Sequence, residues 1–239
     1  MISRVPVINS ASPVPSSIDR RSIVGLVLTT MGIILGGFGL VLTVLLLVPG
    51  LRVHAVQVIV WAQLCISLAT LGSLFWGLRR RKYSLRDIGM TKPTKRLFHL
   101  LWQIPVGIII LLIVQAIVVF GFGQDVARTS SPLDTQVSLS SAVIVFVGYA
   151  LLAPLWEEVI GRGLIYGGLR RRFSILPAVL LGSGIFALYH IAPILLPYYL
   201  VFGIILSLLY EFHRSLWGPL AFHVFINGFV SWQVLARLL

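Results

Sequence analysis

The feature that most constrains this chain is a series of long apolar runs separated by short polar or basic segments. Each helical residue rises ~1.5 Å, so about 20 apolar residues cross a hydrocarbon core. Runs of about that length cover roughly 23–48, 56–76, 100–122, 142–170, 175–192, 195–210 and 216–235. The pattern predicts an all-α, polytopic membrane helix bundle with about seven transmembrane helices, and its boundaries are compatible with six to eight.

Composition and charge agree with a membrane protein. Hydrophobic residues make up 58% of the 239 residues, and charged residues make up only 11%. A net charge of +12 at pH 7 could suggest nucleic acid. However, the basic residues punctuate apolar runs, as they do where Lys and Arg stay on the cytoplasmic side of a membrane. The expected partner is therefore the lipid bilayer, and no nucleic-acid binding is expected.

The distribution of basic residues predicts the topology. Seven alternating spans place most Lys and Arg residues on one side, leaving only Arg52, Arg128 and Arg237 opposite. The N-terminus is therefore predicted to be cytoplasmic. The basic segment 79–99 is expected to lie at the lipid surface, and the polar loop 123–141 to be external.

Three regions are predicted along the chain. Residues 1–21 form a polar cytoplasmic tail without a signal-peptide pattern, 22–141 the N-terminal transmembrane helices, and 142–239 a helical core that carries the chemistry. Cys65 is the only cysteine, so the chain has neither an internal disulfide nor a cysteine-based metal site.

Three ionisable residues interrupt the fourth apolar run. An ionised group at a helix centre costs about 2.5 to 3.5 kcal/mol on insertion scales, so Glu157, Glu158 and Arg162 impose a penalty that something must compensate. Glu158 and Arg162 are four apart and are predicted to form an ion pair on one helix face. Glu157 is left over, roughly 100° around the helix, as a candidate general base or acid. Gly161, one turn away, leaves room beside it.

Polar residues recur in the fifth and seventh runs. His190 follows Phe186 by four residues, with Ser183 on the same seam, and Asn227 follows His223 by four. Straight helices would place His190 about 10 Å deeper than His223, so a tilt or a bend at Pro154 is needed to join them. The other three histidines are expected to be solvated at interfaces without chemistry: His54, His99 and His213.

The order of these motifs resembles that of a known family. The resemblance rests on three motifs, each in its own apolar run: Glu157-Glu158-x-x-x-Arg162, Phe186-x-x-x-His190 and His223-x-x-x-Asn227. Together they resemble the CPBP (CAAX protease and bacteriocin-processing, or Abi) family of intramembrane peptidases over about 142–235. One departure is Gly161, because the residue before this arginine is often aromatic in the family.

The resemblance implies an intramembrane endopeptidase that cleaves a membrane-associated or prenylated protein or peptide. It implies that Glu157 and His190 activate a water, and that His223 and Asn227 stabilise the oxyanion. The glutamate–arginine pair of the first motif would shape the site. Whether a divalent metal such as zinc takes part is left open, with Glu157, His190 and His223 as candidate ligands.

Other functions remain open from the residues alone. A transporter or ion-coupled protein also uses buried Glu and His, although paired broken half-helices are not evident. A non-catalytic immunity or scaffold protein could keep the same fold. Other intramembrane protease chemistries fit less well, because there is no His-Glu-x-x-His motif, no aspartate within a run and no nucleophile elbow around Ser183.

Overall fold

The computed structural model describes residues 18–122 and 138–236, and the regular elements in these ranges are helices. The seven main helices are α1 (Arg20–Leu47), α2 (Ala55–Arg80), α3 (Leu100–Phe122), α4 (Leu139–Arg170), α5 (Ile175–Tyr189), α6 (Leu196–His213) and α7 (Trp217–Leu235). The predicted all-α polytopic fold is confirmed. Most of the predicted tail and external loop, with Arg128 and Arg237, lies outside the described residues.

The helices differ in whether they are long enough to cross a bilayer. Within the described residues, α1 to α4 and α6 are long and apolar enough to cross a membrane. α5 is a shorter apolar helix of 15 residues. At ~1.5 Å per residue it is roughly 22 Å long, less than the ~30 Å of a hydrocarbon core. The fifth run is therefore helical as predicted, but its helix ends at Tyr189, before the predicted boundary near residue 192.

The segment between α2 and α3 is irregular and contains Pro93, which does not fit the interior of a helix. It contains two short 3₁₀ turns, Leu85–Ile88 and Lys95–His99, instead of one continuous helix. Ile88 is fully buried against α4, where a Cβ added at Gly163 would lie 2.8 Å from the Ile88 carbonyl oxygen. This close approach of two backbones holds the segment on the helix that carries the acidic motif.

The start of α1 is capped by a side chain. The Asp19 carboxylate accepts hydrogen bonds from the Ser22 backbone N–H at 3.0 Å and the Ser22 hydroxyl at 2.7 Å. Together with a bond from the Tyr83 hydroxyl, these interactions hold the pKa of the Asp19 carboxyl below its usual range. The cap also ties α1 to the residues just after α2.

α4 alternates between α-helical and π-helical turns. The wide turns are Phe146–Leu152 and Val159–Tyr166, and they flank the turn that carries both glutamates. In the first, the Ala153 N–H donates to the Gly148 carbonyl, five residues back. The next donor in that register would belong to Pro154, which has no N–H. The Tyr149 carbonyl is thereby left without its helical partner.

α4 lies at the centre of the bundle. It packs against α2 on one side and against α5, α6 and α7 on the other. α5 and α6 approach closely at Gly203, where an added Cβ would lie 3.0 Å from the Ser183 Cβ. A partly buried ion pair, Arg170 with Glu211, joins the end of α4 to α6, and the Tyr166 hydroxyl donates to the same carboxylate at 2.8 Å.

Candidate functional site

The predicted ion pair within α4 is present and buried. Arg162 Nη1 donates to Glu158 Oε1 at 3.0 Å, and the two side chains are 2% and 1% exposed. Arg162 Nη2 donates to the Gly203 carbonyl on α6 at 3.3 Å, and the guanidinium carbon lies 4.4 Å from the centre of the Phe186 ring. Arg162 therefore joins three helices while it neutralises Glu158.

His223 lies between the two glutamates. Its Nδ1 is 2.8 Å from Glu158 Oε1, and its Nε2 is 3.6 Å from Glu157 Oε2. His223 is 2% exposed, whereas Glu157 is 11% exposed and is the more accessible of the two carboxylates. Two carboxylates facing one guanidinium leave one negative charge, so a proton shared by Glu157 and His223 would make the buried cluster neutral. A shared proton of this kind suits acid–base chemistry.

His190 is held by its own helix end and by two tyrosines. It is the C-cap of α5, and its Nδ1 lies 2.8 Å from the Phe186 carbonyl oxygen. If Nδ1–H donates there, Nε2 carries the free lone pair. The imidazole stacks between Tyr189, at 4.4 Å between ring centres, and Tyr199, at 3.8 Å. This arrangement orients one basic nitrogen of a half-buried imidazole.

Phe186 brings the two motif histidines into one cluster. Its ring centre is 4.7 Å from that of His190 and 6.2 Å from that of His223. The structure therefore brings the two histidines together, despite the depth difference expected for straight helices. Gly161 contributes space on the same side, since an added Cβ there would meet only Phe186, at 3.9 Å.

Asn227 follows His223 by one turn of α7 and faces α4. Its Nδ2 donates to the Tyr149 carbonyl at 3.1 Å, the oxygen that Pro154 leaves without a helical donor. A carboxamide nitrogen carries two hydrogens, so the second N–H of Asn227 remains to donate elsewhere. The wide turn in α4 therefore positions the carboxamide of Asn227.

One expectation for a residue near the site needs correction. His213 was expected to be solvated, but it is 3% exposed, and its Nε2 pairs with Gln103 Oε1 at 2.8 Å. The prediction was wrong because α3 packs against α6 and covers the imidazole. Ser183 lies on the interior seam as predicted, and it is buried in the contact between α5 and α6.

Several contributors to the site carry no polar motif in the sequence. They include two backbone carbonyls and two aromatic rings: Gly203, Tyr149, Tyr189 and Tyr199. Pro154 signals the free Tyr149 carbonyl, because a proline in a helix always removes a donor. No sequence pattern indicates a role for the other three residues, Gly203, Tyr189 and Tyr199.

The candidate metal ligands do not form a metal site in this arrangement. Within residues 18–122 and 138–236, no group of three or more His, Cys, Asp or Glu side chains is placed to hold a metal ion. His223 Nδ1 already pairs with Glu158 Oε1 at 2.8 Å, and its Nε2 lies 3.6 Å from Glu157 Oε2.

The fold and the site define a polytopic helical membrane protein with a buried acid–imidazole–amide cluster in its C-terminal half. Residues 139–229 match the family model described as Type II CAAX prenyl endopeptidase Rce1-like. The resemblance predicted from the three motifs is therefore confirmed over this part of the chain.

Two curated relatives are similar to the chain. "Putative membrane peptidase YdiL" of Bacillus subtilis (strain 168) is 31% identical over 137 residues, which cover 55% of this chain and 54% of the relative. "Membrane-embedded CAAX protease MroQ" of Staphylococcus aureus (strain USA300) is 25% identical over 192 residues, which cover 74% of this chain and 75% of the relative. The chain thus spans about half the length of the first relative and three quarters of the second. No solved structure matches it.

Proposed function

We propose that this protein is an intramembrane endopeptidase that hydrolyses a peptide bond in a membrane-associated or prenylated protein or peptide. One observation carries the proposal: the His223 imidazole lies between Glu157 and Glu158 inside the bundle. Such a cluster is costly to bury in a membrane protein and is therefore a functional site by default. The names of both relatives describe peptidases, which favours this chemistry over ion transport.

In the proposed reaction, Glu157 and His190 activate the attacking water. The water oxygen forms a bond to the peptide carbonyl carbon, and its proton passes to the Glu157 carboxylate. His190 Nε2 accepts a hydrogen bond from the same water and orients it. The partial exposure of Glu157 and the stacked, half-buried ring of His190 support these roles. When the C–N bond breaks, the leaving nitrogen receives a proton from the Glu157 carboxyl.

The developing oxyanion is stabilised from α7. Asn227 would offer the N–H that Tyr149 does not use, and protonated His223 would offer positive charge one turn away. Removing one such donor typically costs about 100- to 1000-fold in rate. Glu158 and Arg162 hold His223 in place from α4, so they act on the reaction by positioning this imidazole.

The proposal includes an orientation and a division of the chain. The basic residues favour a cytoplasmic N-terminus, with the segment 79–99 at the cytoplasmic lipid surface. Residues 142–239 would form the catalytic core, and the earlier helices would complete the bundle around it.

The test is loss of cleavage with retention of the fold. Membranes from cells expressing the wild type, Glu157→Ala or His223→Ala are compared by quantitative proteomics for peptides that disappear with either variant. We expect both variants to abolish processing of the same substrates while they insert normally. Glu211→Ala is the matched control, because it removes a carboxylate of the separate ion pair with Arg170. Processing at the wild-type level by both site variants would refute the proposal.

A further inference from the structure

Two adjoining concavities lie beside the segment between α2 and α3. The first is an apolar groove of about 630 Å³, whose wall includes Leu101, Ile104 and Phe225. The second is a polar pocket of about 420 Å³, formed by the 3₁₀ turn before α3 and the end of α6. Thr94 lines both, so the two are contiguous. Neither contains a residue of the acid–imidazole–amide cluster.

The polar pocket is strongly basic. Lys95, Arg96 and Arg214 line it, and no Asp or Glu does. In the part of the chain that the structure describes, none of these three forms an ion pair with a carboxylate. Arg96 Nη1 donates to the Phe212 carbonyl at 2.8 Å, which fixes its guanidinium at the pocket. Three cations gathered without a counter-charge are complementary to an anion.

A buried imidazole completes the pocket wall. His213 lines the pocket and is 3% exposed. Its Nε2 pairs with Gln103, but its Nδ1 is buried without a hydrogen-bond partner within the described ranges. A buried polar atom without a partner usually marks a place where water or a ligand supplies one. Because Nε2 faces the Gln103 carbonyl oxygen, which only accepts, Nδ1 of the neutral imidazole is an acceptor and suits a headgroup hydroxyl. The pocket therefore combines uncompensated positive charge, which suits a phosphate, with an unsatisfied acceptor.

We propose that these two concavities bind one anionic glycerophospholipid, with its phosphate in the basic pocket and an acyl chain in the apolar groove. The arrangement of the pocket and the groove matches the headgroup and acyl chain of a lipid at a bilayer surface. The basic pocket adjoins the segment predicted to lie at the lipid surface, and the apolar groove continues along α3. Clusters of Lys and Arg beside a transmembrane helix recognise anionic headgroups in this way. The bound lipid would bridge α3, α6 and α7, independently of whether the protein is a peptidase.

The test uses the full-length protein in detergent and measures lipid retention by native mass spectrometry. Phosphatidylglycerol and phosphatidylcholine with identical acyl chains are titrated separately. We expect retention of phosphatidylglycerol at concentrations where phosphatidylcholine is lost. Lys95→Gln combined with Arg214→Gln should weaken retention about 25-fold, since each charge near an anionic headgroup contributes about fivefold. Neither side chain makes a hydrogen bond within the described residues, so the fold should persist.

Matched controls distinguish a specific lipid-binding site from general electrostatic attraction between the basic surface and an anionic lipid. Arg86→Gln combined with Lys92→Gln removes the same charge from the same segment but outside the pocket, and should retain the lipid. Ile104→Trp should fill the groove and lower lipid retention, while binding of sn-glycerol 3-phosphate stays weak in every variant. Equal retention of the two lipids, equal losses in the control and pocket variants, or binding of sn-glycerol 3-phosphate as tight as that of the lipid would each overturn the proposal.

Discussion

Replacing each of the two adjacent glutamates by glutamine should destabilise the protein to very different extents. Glu158 is 1% exposed and faces both Arg162 at 3.0 Å and His223 at 2.8 Å. Glu158→Gln keeps the shape of the side chain but leaves the Arg162 guanidinium buried without a counter-charge. Breaking a buried ion pair by removing one partner costs roughly 3–5 kcal/mol. Glu157 is more exposed, and within the described residues its one ion pair, with His223, is long at 3.6 Å, so Glu157→Gln should cost less than about 1 kcal/mol.

The assay is thermal unfolding of purified protein in one detergent at one pH. For a chain of this length, about 1 kcal/mol corresponds to roughly 2–4 °C in Tm. Glu158→Gln should therefore lower Tm by roughly 6–20 °C, and Glu157→Gln by less than about 4 °C. Both variants should lose proteolytic activity, the first because His223 is misplaced and the second because the base is gone.

A double variant tests whether the loss of charge compensation explains the lower stability of Glu158→Gln. Glu158→Leu with Arg162→Met removes both buried charges and should recover most of the stability lost in Glu158→Gln, because the pair is costly to desolvate. Activity should not return, since His223 still lacks its carboxylate. A Glu158→Gln variant as stable as Glu157→Gln, or a double variant less stable than Glu158→Gln, would refute the reasoning.

The remaining predictions concern the backbone around the site. Gly203→Ala should destabilise the protein by about 1–3 kcal/mol relative to Gly184→Ala in thermal unfolding, because a Cβ at Gly203 meets a side chain at 3.0 Å and none lies within 4 Å of one at Gly184. The two variants gain equal helix propensity, so equal stabilities would contradict the packing argument. Pro154→Ala restores a backbone donor that competes with Asn227 for its carbonyl acceptor, so cleavage should slow while Tm stays the same or rises. Unchanged cleavage would show that this carbonyl does not position the amide.

The apolar runs could be interpreted from the sequence because membrane helices follow a simple constraint. Each of the seven predicted spans corresponds to one helix, since a long apolar segment in lipid must satisfy its backbone groups internally. The pair Glu158 and Arg162 could also be predicted, because a spacing of four residues fixes their separation on one helix. Local geometry decides both features.

Contacts between helices could not be predicted in the same way. The sequence placed His213 at a solvated interface, whereas packing of α3 against α6 buries it beside Gln103. The hydrogen bond from Arg162 on α4 to the Gly203 carbonyl likewise depends on how closely α4 and α6 approach. Residues far apart in the chain have no spacing rule, and many packings satisfy the same apolar pattern.

The sequence alone determined that the chain is a helical membrane protein and which polar residues interrupt its spans. Only the tertiary structure decided that His223 lies between both glutamates, and that a wide turn in α4 presents a carbonyl to Asn227. The physical reason is that hydropathy and helical periodicity act within one segment. The meeting of side chains from α4, α5 and α7 depends instead on the rotation, length and irregularity of each helix in the packed bundle.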